Sequence, residues 1–371
     1  MLVKYLSWDE TLFRNPEVFD FDYIPEEFLH RDKQLQRILT NIKPALFGSA
    51  PVNTMCLGPP STGKTTAVKK IFEEIKKECE ESIVPVYVNC QIAGTKHQVF
   101  LKIFETVKGF APPPHGLPFF KIYNSIIKKI SEERKALVVA LDDLNYLSND
   151  ELMNEILHSL LKAHEEGEEV KIGIIGITTD VKFSMKLDEN VGAIFHPDEV
   201  YFPPYDKNEI HDILLSRAKL GFYPNVLTEE ALERIVELTY NAKDLRYGLF
   251  LMKMAGLEAE RRASRKIEVK DVENVCDVGK KVFIQKTMSV LSPEEKMLLK
   301  IVYEEGKISS GDLYKKLTEK IKIGYTKFYE MIERLEGIRL IDVMFDRKGK
   351  GRTRLIMSRF ERKPVLELLK E

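Results

Sequence analysis

The chain has 371 residues, of which 44% are hydrophobic and 31% are charged, a composition typical of a soluble globular protein with two or three domains. No apolar run reaches the ~18 residues of a membrane-spanning helix, and the polar, acidic residues 1–20 are unlike a secretory signal peptide. The net charge of −1 combines an acidic body, with 38 Lys+Arg and 44 Asp+Glu in residues 1–288, and a basic final segment, with 19 and 14 in residues 289–371.

Five apolar segments separated by helical patterns predict an α/β core, in which a parallel sheet is covered by helices on both faces. These segments are 52–57, 83–89, 136–141, 172–177 and the shorter 200–202. The four cysteines, of which Cys56 and Cys90 lie in or beside these strands, form no C-x-x-C pair. We therefore expect free thiols in a reducing cytoplasm and no zinc site.

Residues 58–65, with the sequence Gly-Pro-Pro-Ser-Thr-Gly-Lys-Thr, fit the phosphate-loop pattern G-x-x-x-x-G-K-[ST]. A predicted strand precedes the loop and a helical pattern follows it, as the motif requires. Lys64 is expected to contact the β- and γ-phosphates of ATP, and the Thr65 hydroxyl to bind Mg²⁺. Backbone N–H groups at the start of the helix would complete the phosphate site. The expected nucleotide contacts here are Gly58, Pro59, Pro60, Ser61, Thr62, Gly63, Lys64, Thr65 and Thr66.

Two carboxylates follow the third predicted strand. Parallel strands end at one edge of the sheet, so Asp142 is expected beside the phosphate loop, where it would hold the Mg²⁺ shell. Asp143 is the candidate base that orients the attacking water. The simpler alternative is an acidic turn that ends a strand. Thr179, after the next strand, would offer a hydroxyl to the γ-phosphate or act only as a helix N-cap.

The remaining chain predicts two further regions. Residues 206–286 are helical in pattern almost throughout, and Thr228 before two glutamates marks a helix start. Residues 289–371 predict three helices followed by a β-hairpin, which is the order of a winged helix-turn-helix. The helices are predicted to begin at Ser292-Pro293 and to cover 309–319 and 325–335, and the strands to cover 339–345 and 352–358.

The third of these helices and the hairpin turn carry the groups expected to contact DNA. Side chains at the start of the helix would reach base edges, and the cations of the turn would reach phosphates or a minor groove. The alternatives are a solvated hairpin and a winged helix that binds only protein. The expected contacts are Lys322, Tyr325, Thr326, Lys327, Tyr329, Arg347, Lys348, Lys350, Arg352 and Arg354.

These motifs together resemble the AAA+ class and, within it, the archaeal replication initiators of the origin-recognition and cell-division-control type. The resemblance covers essentially the whole chain. Its segments are Tyr23-Ile24-Pro25-Glu26-Glu27, His30-Arg31-Asp32-Lys33-Gln34, the phosphate loop, Val86-Tyr87-Val88-Asn89-Cys90, Asp142-Asp143, Phe202-Pro203-Pro204-Tyr205-Asp206 and Lys243-Asp244-Leu245-Arg246-Tyr247.

The resemblance implies additional site residues and a division into three domains. A nucleotide-binding core would cover 1–205, a helical lid 206–286 and a winged helix 287–371. Arg246 on the lid would reach the γ-phosphate. An insertion over 91–118 would contact DNA, or would serve only as structure. The implied nucleotide contacts are Tyr23, Ile24, Pro25, His30, Arg31, Tyr205 and Arg246, and the implied DNA contacts of the insertion are Lys96, Lys102 and Lys108.

Three departures from the family pattern predict slow ATP hydrolysis. Asp143 replaces the usual Glu, Thr179 replaces the usual Asn, and residues 181–200 contain no arginine that could act on a neighbour's ATP. A misplacement of ~1 Å can cost about 10²-fold in rate, and an arginine finger is worth about 10³-fold or more. We therefore expect tight nucleotide binding and a weak ATPase at most.

The predicted function is an initiator that binds ATP or ADP with Mg²⁺, recognises double-stranded origin DNA and helps to recruit the replicative helicase. Its expected partners include paralogous initiator subunits and no membrane. One alternative is an ATP-driven motor or clamp loader. A second is an ATP-responsive transcription regulator that uses the same winged helix.

Overall fold

A computed structural model describes residues 11–112, 116–147, 150–163, 169–179, 187–288, 291–338, 340–346, 353–360 and 362–369. The chain forms two compact units. One unit is Asp22–Ile213, and the other combines the chain up to Phe21 with the chain from Leu214 onward.

The unit formed by Asp22–Ile213 contains a five-stranded parallel sheet. Its strands are β1 (Thr54–Leu57), β2 (Ile83–Asn89), β3 (Ala136–Asp142), β4 (Lys171–Thr178) and β5 (Asp198–Tyr201). Its helices are α1 (Asp32–Ile42), α2 (Lys64–Glu78), α3 (Lys96–Lys108), α4 (Phe119–Glu133), α5 (Asp150–Leu161), α6 (Glu189–Ile194) and the first half of α7 (Lys207–Gly221). The strands lie in the order β2-β3-β4-β1-β5.

Strand β3 is buried along its whole length. Its residues Leu137, Val139 and Leu141 pack in one apolar cluster with α3, α4 and α5. Val138 and Ala140 pack in another cluster with α1 and α2. Successive side chains of a strand point to opposite faces, so a continuous apolar run indicates a sheet covered on both sides. The predicted parallel sheet is confirmed, with strand bounds shifted by at most two residues.

The strand order brings the functional segments to one edge of the sheet. In register, Leu57 at the end of β1 lies beside Thr178 at the end of β4, and Asn89 at the end of β2 lies beside Asp142. The loop that follows β1 and the carboxylates at the end of β3 therefore lie at the same carboxyl edge of the sheet.

The other unit combines the chain up to Phe21 with the helices that start within α7. The second half of α7 is followed by α8 (Glu229–Ala242), α9 (Leu245–Arg261) and α10 (Val269–Met288). The aromatic rings of Phe13 and Phe19 lie 5.1 and 4.7 Å from that of Phe222, between ring centroids. A Cβ atom at Gly221 would overlap the Phe19 ring, so glycine permits this close packing. Residues 11–21 thus pack with these helices, although the predicted core domain includes them.

The C-terminal elements are α11 (Pro293–Glu305), β6 (Lys307–Ser309), α12 (Ser310–Thr318), α13 (Tyr325–Gly337), β7 (Ile341–Asp346), β8 (Thr353–Ser358) and α14 (Arg362–Leu368). The strands form an antiparallel sheet in the order β6-β8-β7. Helix α11 begins where it was predicted, with Ser292 as its N-cap, and Glu295 completes a capping box. The three predicted helices and the hairpin strands are present, whereas β6 and α14 were not predicted.

Candidate functional site

The loop between β1 and α2 depends on two glycines. Gly58 has a φ of 145°, and a Cβ there would overlap the carbonyl oxygen of Phe202. Gly63 has a φ of 90° and is the N-cap of α2. A Cβ at Gly63 would lie 2.8 Å from the Tyr205 Oη atom and 2.9 Å from the Phe28 ring. The loop therefore needs glycine both for its backbone angles and for its close neighbours.

Lys64 is buried at the first position of α2. Its ammonium group donates to the carbonyl oxygens of Gly58 and Pro59, each at 2.8 Å. The amine is thus held against the loop, next to the first N–H groups of α2. A buried cation at a helix N-terminus favours a phosphate ligand.

Arg31 connects three segments around the loop, and its side chain is 1% exposed. Its guanidinium donates to the carbonyl oxygens of Thr62 at 3.0 Å, His30 at 2.9 Å and Pro203 at 2.7 Å. The same group lies 3.7 Å above the centre of the Tyr205 ring. These contacts hold the phosphate loop against the segment after β5. The contacts of Arg31 and Tyr205 with the nucleotide stay predictions.

Asp142 ends β3 with a side chain that is 2% exposed. Its Oδ2 atom accepts hydrogen bonds from the Thr65 hydroxyl at 2.8 Å and from the Tyr87 hydroxyl at 2.6 Å. Its Oδ1 atom accepts from the backbone N–H of Asp143 at 3.0 Å. The structure thus brings Thr65 and Asp142 together, whereas their binding of Mg²⁺ stays a prediction.

Tyr87 was missed as a site residue by the sequence analysis. Burial, together with the negative charge of Asp142, raises the pKa of the Tyr87 hydroxyl, so it remains a donor at neutral pH. The available signal was a hydroxyl in an otherwise apolar strand, two residues before Asn89. Its partner depends on how β2 pairs with β3, which local sequence does not reveal.

Two threonines lie at the end of β4, and the predicted site residue is the second, Thr179. The first, Thr178, is buried, and its hydroxyl donates to the Asn145 side chain at 3.2 Å. Thr179 follows the strand and is half-buried. Residues 180–186, the start of the segment without arginine, lie outside the described residues. The role of Thr179 near the γ-phosphate stays a prediction.

Four further nucleotide contacts that the family resemblance implies precede α1. Pro25 is buried, whereas Tyr23, Ile24 and His30 are half-buried. The His30 ring lies 3.0 Å, Nε2 to Oδ2, from Asp212 on α7.

Arg246 lies in the second unit, on the first turn of α9. It forms an ion pair at 2.9 Å with Asp244, the N-cap of that helix. Its predicted contact with the γ-phosphate is therefore still a prediction.

Helix α3 carries three of the cations predicted to contact DNA. The apolar face of α3 belongs to the core cluster. Lys96 lies 4.0 Å from Glu155 and 4.7 Å from the centre of the Phe119 ring, and Lys102 donates to Glu105 at 3.1 Å. Lys108 is half-buried at the end of the helix. Within the predicted insertion over 91–118, residues 96–108 thus form a helix packed in the core, and the DNA contacts of its three lysines stay predictions.

The start of α13 matches the exposure expected of a recognition helix. Tyr325, Thr326 and Lys327 are exposed, as is the preceding Lys322, whereas Phe328 is fully buried.

Tyr329, one turn further along α13, is half-buried, and the Arg354 guanidinium lies 4.8 Å from the centre of its ring. Arg354 is also 3.9 Å from Glu333. The other predicted cations of the turn, Arg347, Lys348, Lys350 and Arg352, lie outside the described residues.

The sheet order, the phosphate loop and the Thr65–Asp142 pair define a nucleotide-binding ATPase of the AAA+ class. Two family models agree, because an AAA domain matches residues 50–181 and a Cdc6 AAA+ ATPase-type lid domain matches residues 211–276. The chain belongs to the family of ORC1-type DNA replication proteins, the initiators of archaeal replication.

Similarity to two members extends over almost the whole chain. The chain is 43% identical to ORC1-type DNA replication protein 2 of Archaeoglobus fulgidus over 361 residues, a match that covers 97% of this chain and 94% of that protein. It is 41% identical to ORC1-type DNA replication protein 2 of Methanosarcina mazei, with 99% and 98% covered. The family resemblance expected from the motifs is confirmed.

Solved structures agree on the fold. The Aeropyrum pernix ORC1 protein, solved in complex with DNA, matches with a TM-score of 0.73 and 24% identity, covering 98% of each chain. The ORC2 protein of the same organism, solved with ADPNP and ADP, matches with a TM-score of 0.72 and 23% identity, covering 97% of this chain and 98% of that one. Among the described residues, no helix has the length and apolar character that crossing a membrane requires.

Proposed function

We propose that the protein binds double-stranded origin DNA through its C-terminal elements and acts there as an ATP-controlled initiator that helps to recruit the replicative helicase. The observation that carries this proposal is the exposed start of α13, where Tyr325, Thr326 and Lys327 follow one another. Hydroxyl and ammonium groups on the first turn of a recognition helix can reach base edges in the major groove.

The order of the C-terminal elements supports a winged helix. A helix, a short strand, two helices and a hairpin follow one another, so α13 would enter the major groove and the turn over 347–352 would be the wing. The relative from Aeropyrum pernix was solved with DNA. The proposed domains remain 1–205, 206–286 and 287–371, with residues 11–21 of the first packed on helices that follow residue 213. The further proposed DNA contacts are Lys96, Lys102, Lys108, Lys322, Tyr329, Arg347, Lys348, Lys350, Arg352 and Arg354.

The nucleotide site fits a magnesium-bound triphosphate. The side-chain oxygens of Thr65 and Asp142 lie 2.8 Å apart, and Mg²⁺ prefers oxygen ligands. Bound Mg²⁺ would supply charge neutralisation between the β- and γ-phosphates. Lys64 would donate to phosphate oxygens, and Asp143 would accept a proton from the attacking water.

Nucleotide is proposed to act mainly as a conformational ligand. The shorter carboxylate of Asp143 and the segment 181–200 without arginine both favour slow hydrolysis. The missing arginine also suggests that a paralogous initiator subunit completes a shared site. Such a protein would keep ATP bound for long periods and change state when it is finally hydrolysed.

The proposal is tested by binding of the purified protein to duplex DNA across a salt series, with origin-repeat and random sequences compared. We expect the repeats to be preferred by about 10³-fold or more, with the preference persisting as salt rises. Equal binding to both sequences, with a steep salt dependence, would contradict sequence recognition.

A transcription regulator would use the same exposed helix and is the second candidate. Chromatin occupancy separates the two functions, because an initiator should occupy origin repeats whereas a regulator should occupy promoters. A motor or clamp loader is disfavoured by the segment without arginine and by the additional C-terminal elements.

A further inference from the structure

Tyr87 reaches the nucleotide site from the neighbouring strand. It pairs in register with Ala140 on β3, two residues before Asp142. Residues two apart on a strand point to the same face, so Tyr87 and Asp142 lie on the face that carries α2. The Tyr87 hydroxyl donates to the Asp142 Oδ2 atom at 2.6 Å.

Three donors from the described part of the chain reach the Asp142 side chain, and they differ in function. The Thr65 hydroxyl belongs to the proposed metal shell, and the backbone N–H of Asp143 is fixed by the chain. Tyr87 is the donor that comes from another strand. A buried carboxylate needs such donors, because it would otherwise lose its hydration without compensation.

The phenol ring is itself restrained by the phosphate-loop helix. The Lys69 ammonium lies 4.8 Å from the centre of the Tyr87 ring. Lys69 is one turn after Thr65 on α2, so the same helix contacts both the ring and the carboxylate that the ring supports. Tyr87 is therefore set between α2 and the end of β3.

We propose that Tyr87 is a positioning residue of the Mg²⁺ site, whose hydroxyl holds the Asp142 carboxylate toward the Thr65 hydroxyl. This inference rests on the proposed nucleotide site. Hydrogen-bond partners of metal ligands fix the orientation of the ligand, and their loss commonly weakens metal binding. Tyr87 would thus affect the metal without contacting metal or nucleotide.

The test is Tyr87→Phe in the full-length protein, with binding of a fluorescent ADP analogue measured first in EDTA and then during a Mg²⁺ titration. We expect the Mg²⁺ concentration at half-saturation to rise by about tenfold. The affinity measured in EDTA should stay unchanged, because Tyr87 acts only through the carboxylate.

Tyr123→Phe is the matched control. Tyr123 is buried in the same unit and donates to the carbonyl oxygen of Ser159 at 3.1 Å, but it belongs to the core cluster on the other face of the sheet. This variant also loses one phenolic hydrogen bond, so it should lower thermal stability comparably and leave the Mg²⁺ titration unchanged.

An equal change in both variants, or weaker ADP binding by Tyr87→Phe in EDTA, would overturn the positioning role. In a double-mutant cycle, Tyr87→Phe should have no further effect on Mg²⁺ once Asp142→Asn is present. Failure of the wild-type protein to bind nucleotide would instead refute the proposed site itself. The two failures are therefore distinguishable.

Discussion

At the scale of single residues, two buried cations hold the phosphate loop from different sides. Lys64, which belongs to the loop motif itself, donates to two carbonyl oxygens of the loop. Arg31, which lies just before α1, donates to the carbonyl oxygen of Thr62. No salt bridge joins Arg31 to a carboxylate among the described residues, so carbonyl dipoles and the Tyr205 ring balance its charge. A nearby polyphosphate would add the negative charge that this arrangement lacks.

Gly63 gives a prediction at this scale. In Gly63→Ala the new methyl group would press on Tyr205 and Phe28, and relief of such overpacking costs about 1–3 kcal/mol. If the loop moves to relieve it, nucleotide affinity should fall by roughly tenfold or more. Fluorescent-nucleotide binding measures this loss.

The control for that substitution is Gly109→Ala. Gly109 also has a left-handed φ, 78°, but a Cβ there would meet nothing within 4 Å. Both variants should share the cost of a left-handed alanine, about 1–2 kcal/mol. Equally weakened nucleotide binding by Gly109→Ala, which lies after α3 and outside the loop, would show that general destabilisation and not crowding at the loop is responsible.

At the scale of elements, α1 is fastened to the edge strand β5 by a small polar cluster. The Arg37 guanidinium and the Asn41 amide both donate to the Asp198 carboxylate. The hydrogen bond from Arg37 lowers the pKa of Asp198 below its usual 3.8. The carboxylate therefore stabilises the fold when ionised, and this contribution declines as the carboxylate is protonated in acid.

The resulting pH dependence can be tested with Asp198→Asn. Because the pKa of Asp198 is lower in the folded state, its stabilisation is complete above about pH 5 and declines as pH falls through the folded pKa. The variant should melt below wild type at pH 7, by an amount that shrinks below about pH 4. Thermal unfolding by circular dichroism at several pH values measures this, with the exposed Glu199→Gln on the same strand as control. A difference that grows in acid would contradict the sign.

Helix α13 and the proposed wing predict different losses of DNA binding. Lys327→Ala should reduce discrimination between sequences, by about 1–3 kcal/mol for a base contact. Arg347→Ala with Lys348→Ala should weaken binding to all sequences and lower the salt slope by about two. Salt titrations on repeat and random duplexes separate these effects. Lys300→Ala, an exposed cation on α11, is the control, and normal binding by the wing variant would exclude a phosphate role.

Local signals in the sequence predict the strands, the phosphate loop and the three C-terminal helices. Apolar runs, glycine spacing and N-caps such as Thr228 and Ser292 are carried by neighbouring residues. The short strand β6 escapes prediction, because it is three residues long and is defined by pairing with β8. The hydrogen bond of Tyr87 and the carbonyl acceptors of Arg31 also depend on segments distant in sequence.

At the scale of the whole molecule, Asp143 and the absence of arginine from residues 181–200 predict slow hydrolysis of ATP. Turnover on the order of 10⁻³ s⁻¹ is expected of a phosphate-loop protein without an arginine finger. Asp143→Glu should raise the rate, because the longer side chain has the reach usual in the family. Phosphate release from the wild-type protein measures the rate, and Lys64→Ala serves as the blank. Turnover of many ATP per minute would contradict slow hydrolysis.

The packing of residues 11–21 with helices that follow residue 213 has a consequence for how the chain is made. The 192 residues of the other unit are translated between these two parts. At typical synthesis rates, roughly 10–40 s pass between the synthesis of residues 11–21 and that of the helices that follow residue 213. During that time Val18 and Phe19, both 1% exposed in the finished fold, lack the native contacts that the chain after residue 213 supplies, such as the ring of Phe222. The nucleotide-binding unit can therefore fold first, and a nascent chain arrested near residue 213 would expose the side chains of Val18 and Phe19 to chaperones.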